Sequence, residues 1–319
     1  MSISNQRFKK NKLAIALIIA VSAPTAQALE IKADVSGSVG ASSPVAFSDI
    51  DGPAASGSVD VLGSVVGSST LSNVFYHTYG NDSGNFGSRV SGNGTYDITG
   101  TFSYKDTITN TSGVTQAYNF DFTVIPGEIA ISGLVPAVSG DFLMAEYTID
   151  ILVGGLSIWD SAAKIENNAG LFAFNDSGTH SLGGTLSSTT SFSAYAWDTY
   201  VGSTSLGVLA DGASLDFEYI LTSHAAGNLD CLSVTYEDGF DGVHPGGNAA
   251  GGIDRFGEMA GTCGSIARSG DPFNFNGDPI SNSSGVTATT VPEPSSLALF
   301  GLGLTGFVAA RRRKTKVTQ

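Results

Sequence analysis

Residues 95–109, TYDITGTFSYKDTIT, alternate with a period of two: Tyr96, Ile98, Phe102, Tyr104 and Ile108 share one face, and polar residues occupy most of the other. Successive side chains swing to opposite faces only in an extended chain, so this pattern excludes a helix and requires a half-buried strand. Gly100 sits where a bulge would fit. The turn formers Asn110-Thr111-Ser112-Gly113 follow, and alternation resumes at Tyr118, Phe120, Phe122 and Val124, which predicts a β-hairpin over 95–125.

The same pattern, bounded by Gly, Asn, Asp and Ser, predicts strands at 30–35, 59–66, 73–79, 128–132, 145–153, 171–174, 191–197, 214–222 and 232–236. No ten-residue window in the body has a helical period; a short helical turn is expected at 160–167. Many short alternating strands indicate an all-β fold, a β-sandwich of jelly-roll-like architecture over residues 29–276. Residues 277–290, GDPISNSSGVTATT, have turn formers and no apolar period, and are expected to be a flexible linker.

Both ends of the chain read as addresses. Arg7, Lys9, Lys10 and Lys12 precede an apolar run at 13–21 and the small-residue site Ala26-Gln27-Ala28, the pattern of a signal peptide over 1–28 cleaved after Ala28. At the other end, Val291-Pro292-Glu293-Pro294 is followed by sixteen uncharged residues, 295–310, and the basic stop Arg311, Arg312, Arg313 and Lys314. As a helix that stretch spans about 24 Å, short of a hydrocarbon core of about 30 Å. Gly301, Gly303 and Gly306 weaken it further, so it reads as a brief transmembrane anchor. Their G-x-G-x-x-G spacing follows no strand and is no dinucleotide site. Basic flanks stay cytoplasmic, which leaves 29–290 on the outer side.

The motif, marginal helix and basic stop over 291–319 resemble the PEP-CTERM sorting signal of Gram-negative bacteria that make extracellular polysaccharide. The resemblance implies recognition by an exosortase, an integral-membrane cysteine peptidase, and cutting near the Pro-Glu-Pro. The expected route is a transient inner-membrane intermediate, then the cell surface, the extracellular matrix of a biofilm, or release. The resemblance covers only the tail and implies nothing about the body's ligand.

Between the two addresses only Lys32, Arg89, Lys105, Lys164, Arg255 and Arg268 are basic, and the body carries a net charge near −22. A field of that sign repels nucleic acid and anionic lipid. Cys231 and Cys263 are the only cysteines, and export to an oxidising compartment makes a disulfide between them the expected state. It would close a loop of 33 residues, which the chain-entropy relation values at about 3.7 kcal/mol. Within that loop Glu237, Asp238 and Asp241 offer carboxylate oxygens that, with His244 nearby, could collect Ca²⁺, although the spacing is not that of an EF-hand and solvated acidic residues are the alternative.

Catalytic signatures are sparse. The histidines His77, His180, His224 and His244 are isolated, and neither H-E-x-x-H nor G-x-S-x-G occurs. Asp216 and Glu218 stand two apart on a strand, a separation a glycosidase can use, while adjacent carboxylates on one strand are more often solubilisers. Tyr195, Trp197, Tyr200, Phe75, Tyr76 and Tyr79 could stack on sugar rings or serve as core. The expectation is therefore a non-enzymatic surface or matrix protein that needs no cofactor, with a polysaccharide-binding module and a secreted hydrolase as alternatives.

Overall fold

Alternation in the sequence becomes alternation of burial in space. The computed structural model describes residues 29–41, 43–67, 72–133, 140–189, 192–229, 264–269 and 282–291. The strands are β1 (Glu30–Val39), β2 (Val45–Ala54), β3 (Ser58–Val66), β4 (Asn73–Asn81), β5 (Asn85–Asn93), β6 (Thr95–Thr109), β7 (Gln116–Val124), β8 (Gly127–Ser132) and β9 (Phe142–Val153). They continue with β10 (Leu156–Asn168), β11 (Leu171–Ser177), β12 (Thr185–Ser188), β13 (Phe192–Trp197), β14 (Tyr200–Leu209), β15 (Ser214–Asn228), β16 (Gly264–Ser269) and β17 (Asn282–Thr290). Among the described residues no helix is long and apolar enough to cross a membrane.

The first sheet has the order β11-β10-β9-β15-β6-β1-β2, and every pairing in it is antiparallel. In the second, β12, β13, β8, β16, β5, β17, β7 and β14 follow one another, and β4 and β3 branch from β5. Strand β8 pairs with β13 and β16, and β7 pairs with β14 and β17. The chain leaves the edge of β5 at Ser269, opposite Ser88, and is back on it at Asn282, opposite Phe86.

A second regularity is nesting: β5 pairs with β16, β6 with β15, β7 with β14 and β8 with β13. The segment 85–132 is thereby matched in reverse by the strands from 192 onward. Aromatic residues join the two sheets, with ring centroids 4.5 Å apart for Phe86 and Tyr219, 5.2 Å for Phe120 and Phe217, 4.8 Å for Phe122 and Trp159, and 4.7 Å for Tyr147 and Trp197. Rings of this size dominate core energetics through the area they remove from water.

Four expectations are corrected. The segment 95–125 is not a hairpin, because β6 and β7 lie in different sheets and the turn between them is an arch. Buried Asn110 holds the arch: its Nδ2 donates to the carbonyls of Val114 and Leu209, both at 2.8 Å, and its backbone N–H donates to Ala213. Both strands carry an aromatic face, and each packs on the opposite sheet, Phe102 of β6 on Phe86 of β5 and Phe120 of β7 on Phe217 of β15. Gly100 is no bulge, since the register of β6 is unbroken there. A Cβ at that position would lie 2.6 Å from Thr78 Oγ1, so this glycine lets the sheets approach over a buried hydroxyl patch of Thr78, Ser88 and Ser223.

Residues 160–167 are strand, not helix, and Trp159, Ser161, Ala163 and Ile165 face inward. The flexible linker expected at 277–290 is replaced over Asn282–Thr290 by β17, which is ordered by the ladder of β7 rather than by its own apolar pattern. The strand expected at 232–236 lies outside the described residues.

Candidate functional site

The tail grows from β17. Its sequence, NSSGVTATT, contains β-branched Val286, Thr287, Thr289 and Thr290, which suit a pleated surface. It pairs with β7 from Ser283 opposite Thr123 to Thr290 opposite Gln116. Beyond the strand, the Val291 N–H still donates to the Thr115 carbonyl at 3.1 Å. On the other edge only Asn282 and Ser283 are paired, opposite Phe86 and Asn85 of β5. Residues 285–290 are exposed on both faces.

One side chain of β7 fastens the strand. Asp121 Oδ2 accepts from Thr287 Oγ1 at 2.8 Å, while its Oδ1 accepts from Ser203 Oγ of β14 at 2.6 Å. The Ser203 and Thr287 hydrogen bonds hold the Asp121 carboxyl below the usual carboxylate range. The strand leading to Val291-Pro292-Glu293-Pro294 is thus bound by a backbone ladder and this carboxylate.

Residues 290–314 match the PEP-CTERM protein-sorting motif. The match starts at Thr290, the last residue of β17, and takes in the apolar stretch and the basic stop. It supports an exported protein that is sorted through an exosortase and is membrane-associated during that sorting. No curated protein matches the chain.

Val291 is the only residue of the PEP-CTERM tail within the described residues. Pro292, Glu293, Pro294 and the basic stop Arg311, Arg312, Arg313 and Lys314 lie outside them. So do Ala26 and Ala28 of the signal cleavage site, Cys231 and Cys263, and the calcium candidates Glu237, Asp238 and Asp241. Among the described residues no group of three His, Cys, Asp or Glu side chains could hold a metal ion.

Asp216 and Glu218 both face outward on β15. Asp216 accepts from Thr107 Oγ1 at 2.7 Å, and Glu218 lies 3.3 Å from Lys105 Nζ. With Glu30, Asp106, Leu152 and the Gly154-Gly155 turn they line an open cleft of about 340 Å³. Of the six aromatic candidates for sugar stacking, Phe75, Tyr79 and Tyr200 are half-buried and the other three are core. Tyr195 is 2% exposed, Trp197 3% and Tyr76 6%, and the Trp197 Nε1–H donates to the Ile125 carbonyl at 3.1 Å.

A charged row that the sequence reading did not assemble crosses the outer face of the first sheet. Register sets His224 of β15 opposite Glu146 of β9, and Glu146 opposite Lys164 of β10. His224 Nε2 lies 2.9 Å from Asp97 Oδ1, and its Nδ1 lies 3.8 Å from Glu146 Oε2. The Glu146 carboxylate, then Asp97, raise the affinity of His224 for its proton against the opposing effect of burial. The same contact lowers the pKa of Glu146. These residues are far apart in the chain, and only the strand register unites them.

Proposed function

We propose that this protein is an exported, non-enzymatic component of the cell surface or extracellular matrix, processed by an exosortase at its PEP-CTERM tail after a transient inner-membrane stage. The observation that carries the reading is the sorting motif at 290–314, which begins where the last strand of a folded all-β body ends. Nested pairing of β5 to β8 with β13 to β16 is what a rolled double ribbon produces, which favours a jelly-roll β-sandwich for that body. The proposal includes the Cys231–Cys263 disulfide and requires no cofactor. Asp216 and Glu218 act as partners for Thr107 and Lys105 on the surface.

A second reading, a polysaccharide-binding module, is favoured by the hydroxyl-rich outer face of the first sheet rather than by aromatic stacking. Thr101, Thr222 and Thr148 stand opposite one another across three strands there. The test of the main reading is the intact mass of the protein from its native host and from a host lacking the exosortase. A mass ending near Pro294 in the first and retaining Arg313 in the second is expected. Retention of the tail in both would refute sorting by cleavage.

A further inference from the structure

We infer that β17 is a releasable strap: it peels from β7 to give the sorting motif the reach that a membrane peptidase needs. This rests on the reading of 290–314 as a processed tail. Three observations carry it.

The first is the lack of slack. Thr290 is at once the end of β17 and the start of the motif, and Val291 is still hydrogen-bonded to Thr115. With the strand in place, the body sits directly against the segment to be cut, and peptide-bond cleavage requires a segment free of its native hydrogen bonds. Release of Asn282–Thr290 adds roughly 30 Å of extended chain, at roughly 3.3 Å per residue.

The second is that the strap is lightly held. Side chains 285–290 are exposed, Val286 being 38% accessible, and pairing to β5 stops at Ser283. Segments with exposed hydrogen bonds and little apolar burial open at free energies well below that of global unfolding. The third is that β7 keeps its packing on the first sheet when β17 leaves, and only the two-residue link to β5 through Asn282 and Ser283 is lost. Phe120 and Phe122 of β7 remain packed against Phe217 and Trp159, and β7 keeps its ladder to β14.

Ala117 and Thr289 stand directly opposite each other, so Ala117→Cys with Thr289→Cys fastens the strap to β7 and leaves Asp121 and its partners unchanged. The full-length protein is expressed in the native host, and tail removal is followed by intact mass in a pulse-chase, with the added disulfide confirmed by peptide mapping. Processing of the locked protein is expected to fall at least about tenfold. A ten-residue Gly/Ser insert between Thr290 and Val291 of the locked protein is expected to restore it. Processing of the locked protein at the wild-type rate overturns the strap, and so does failure of the insert to rescue. Failure of the wild-type protein itself to be trimmed refutes the sorting reading instead. Hydrogen exchange on the wild-type protein gives an independent check: amides of 285–290 should exchange at least about tenfold faster than those of β6, and equal protection overturns the proposal.

Discussion

Trp197→Ala separates the two roles an aromatic residue can play in a protein of this kind. The indole is 3% exposed, lies tilted against Tyr147 with ring centroids 4.7 Å apart, and donates to the Ile125 carbonyl. Removing a buried Trp ring costs about 3–5 kcal/mol through lost transfer energy and the cavity left behind. Loss of the hydrogen bond that the indole N–H donates adds about 1 kcal/mol. A total near 5 kcal/mol shifts the melting temperature of a body this size by about 10–20 °C. The assay is scanning calorimetry of the purified exported protein, with binding to the host's own polysaccharide measured below the transition, and Trp197→Phe as the milder companion. Unchanged melting with selective loss of polysaccharide binding would refute the core assignment and make Trp197 a sugar platform.

The row around His224 sets a pH window. Its folded pKa is raised above the ordinary 6.5, so its contribution is complete below that value and is lost as pH rises through the folded value. Glu146 is lowered from 4.5, so its contribution is present above that value and is lost as pH falls through the folded one. Stability from this row should peak between 4.5 and 6.5, and His224→Gln should flatten the alkaline limb by less than about 1 kcal/mol because the groups are partly solvated. Denaturant midpoints across pH test this, and an unaltered alkaline limb in the variant would contradict it. Gly127→Ala should destabilise by about 1–3 kcal/mol, by overpacking, because its new methyl would overlap the Trp197 ring and the Arg268 carbonyl. A melting temperature equal to wild type would show that the sheet around Gly127 relaxes at no cost.

How much was readable depended on whether the signal was local. The alternation of 95–109 gave β6 its extent and inward face, and the turn after it was real. Its partners were not legible, because β6 pairs with β1 and β15, and Thr101 meets Thr222 across 121 residues of sequence. Strand β10 was missed where Ser161, Ala162 and Ala163 blur the contrast between faces, a case in which tertiary pairing decides over local pattern. Strand β17 has little apolar pattern of its own, so no reading of its residues alone could order it. At the site, the sorting motif was legible because a peptidase reads linear sequence. Asp121 was visible only as one polar member of an alternating strand, and its role depends on Ser203 and Thr287 arriving on two other strands.

The nested pairing also dictates when the body can become complete. Strand β5 waits for β16, with Ser91 meeting Ile266, and β7 waits for β17. Contacts so distant along the chain make assembly slow, since loop-closure entropy is spent before the ladders form. In a chain exported from its N-terminus, the early strands therefore stand on the outer side with unpaired edges until the segment 264–290 has followed them. A product stopped at residue 263 would be an unclosed sheet with adhesive margins rather than a smaller domain. Closure of the second sheet thus waits for strands at the far end of the chain, so the order in which segments are delivered bears on folding as much as equilibrium stability does.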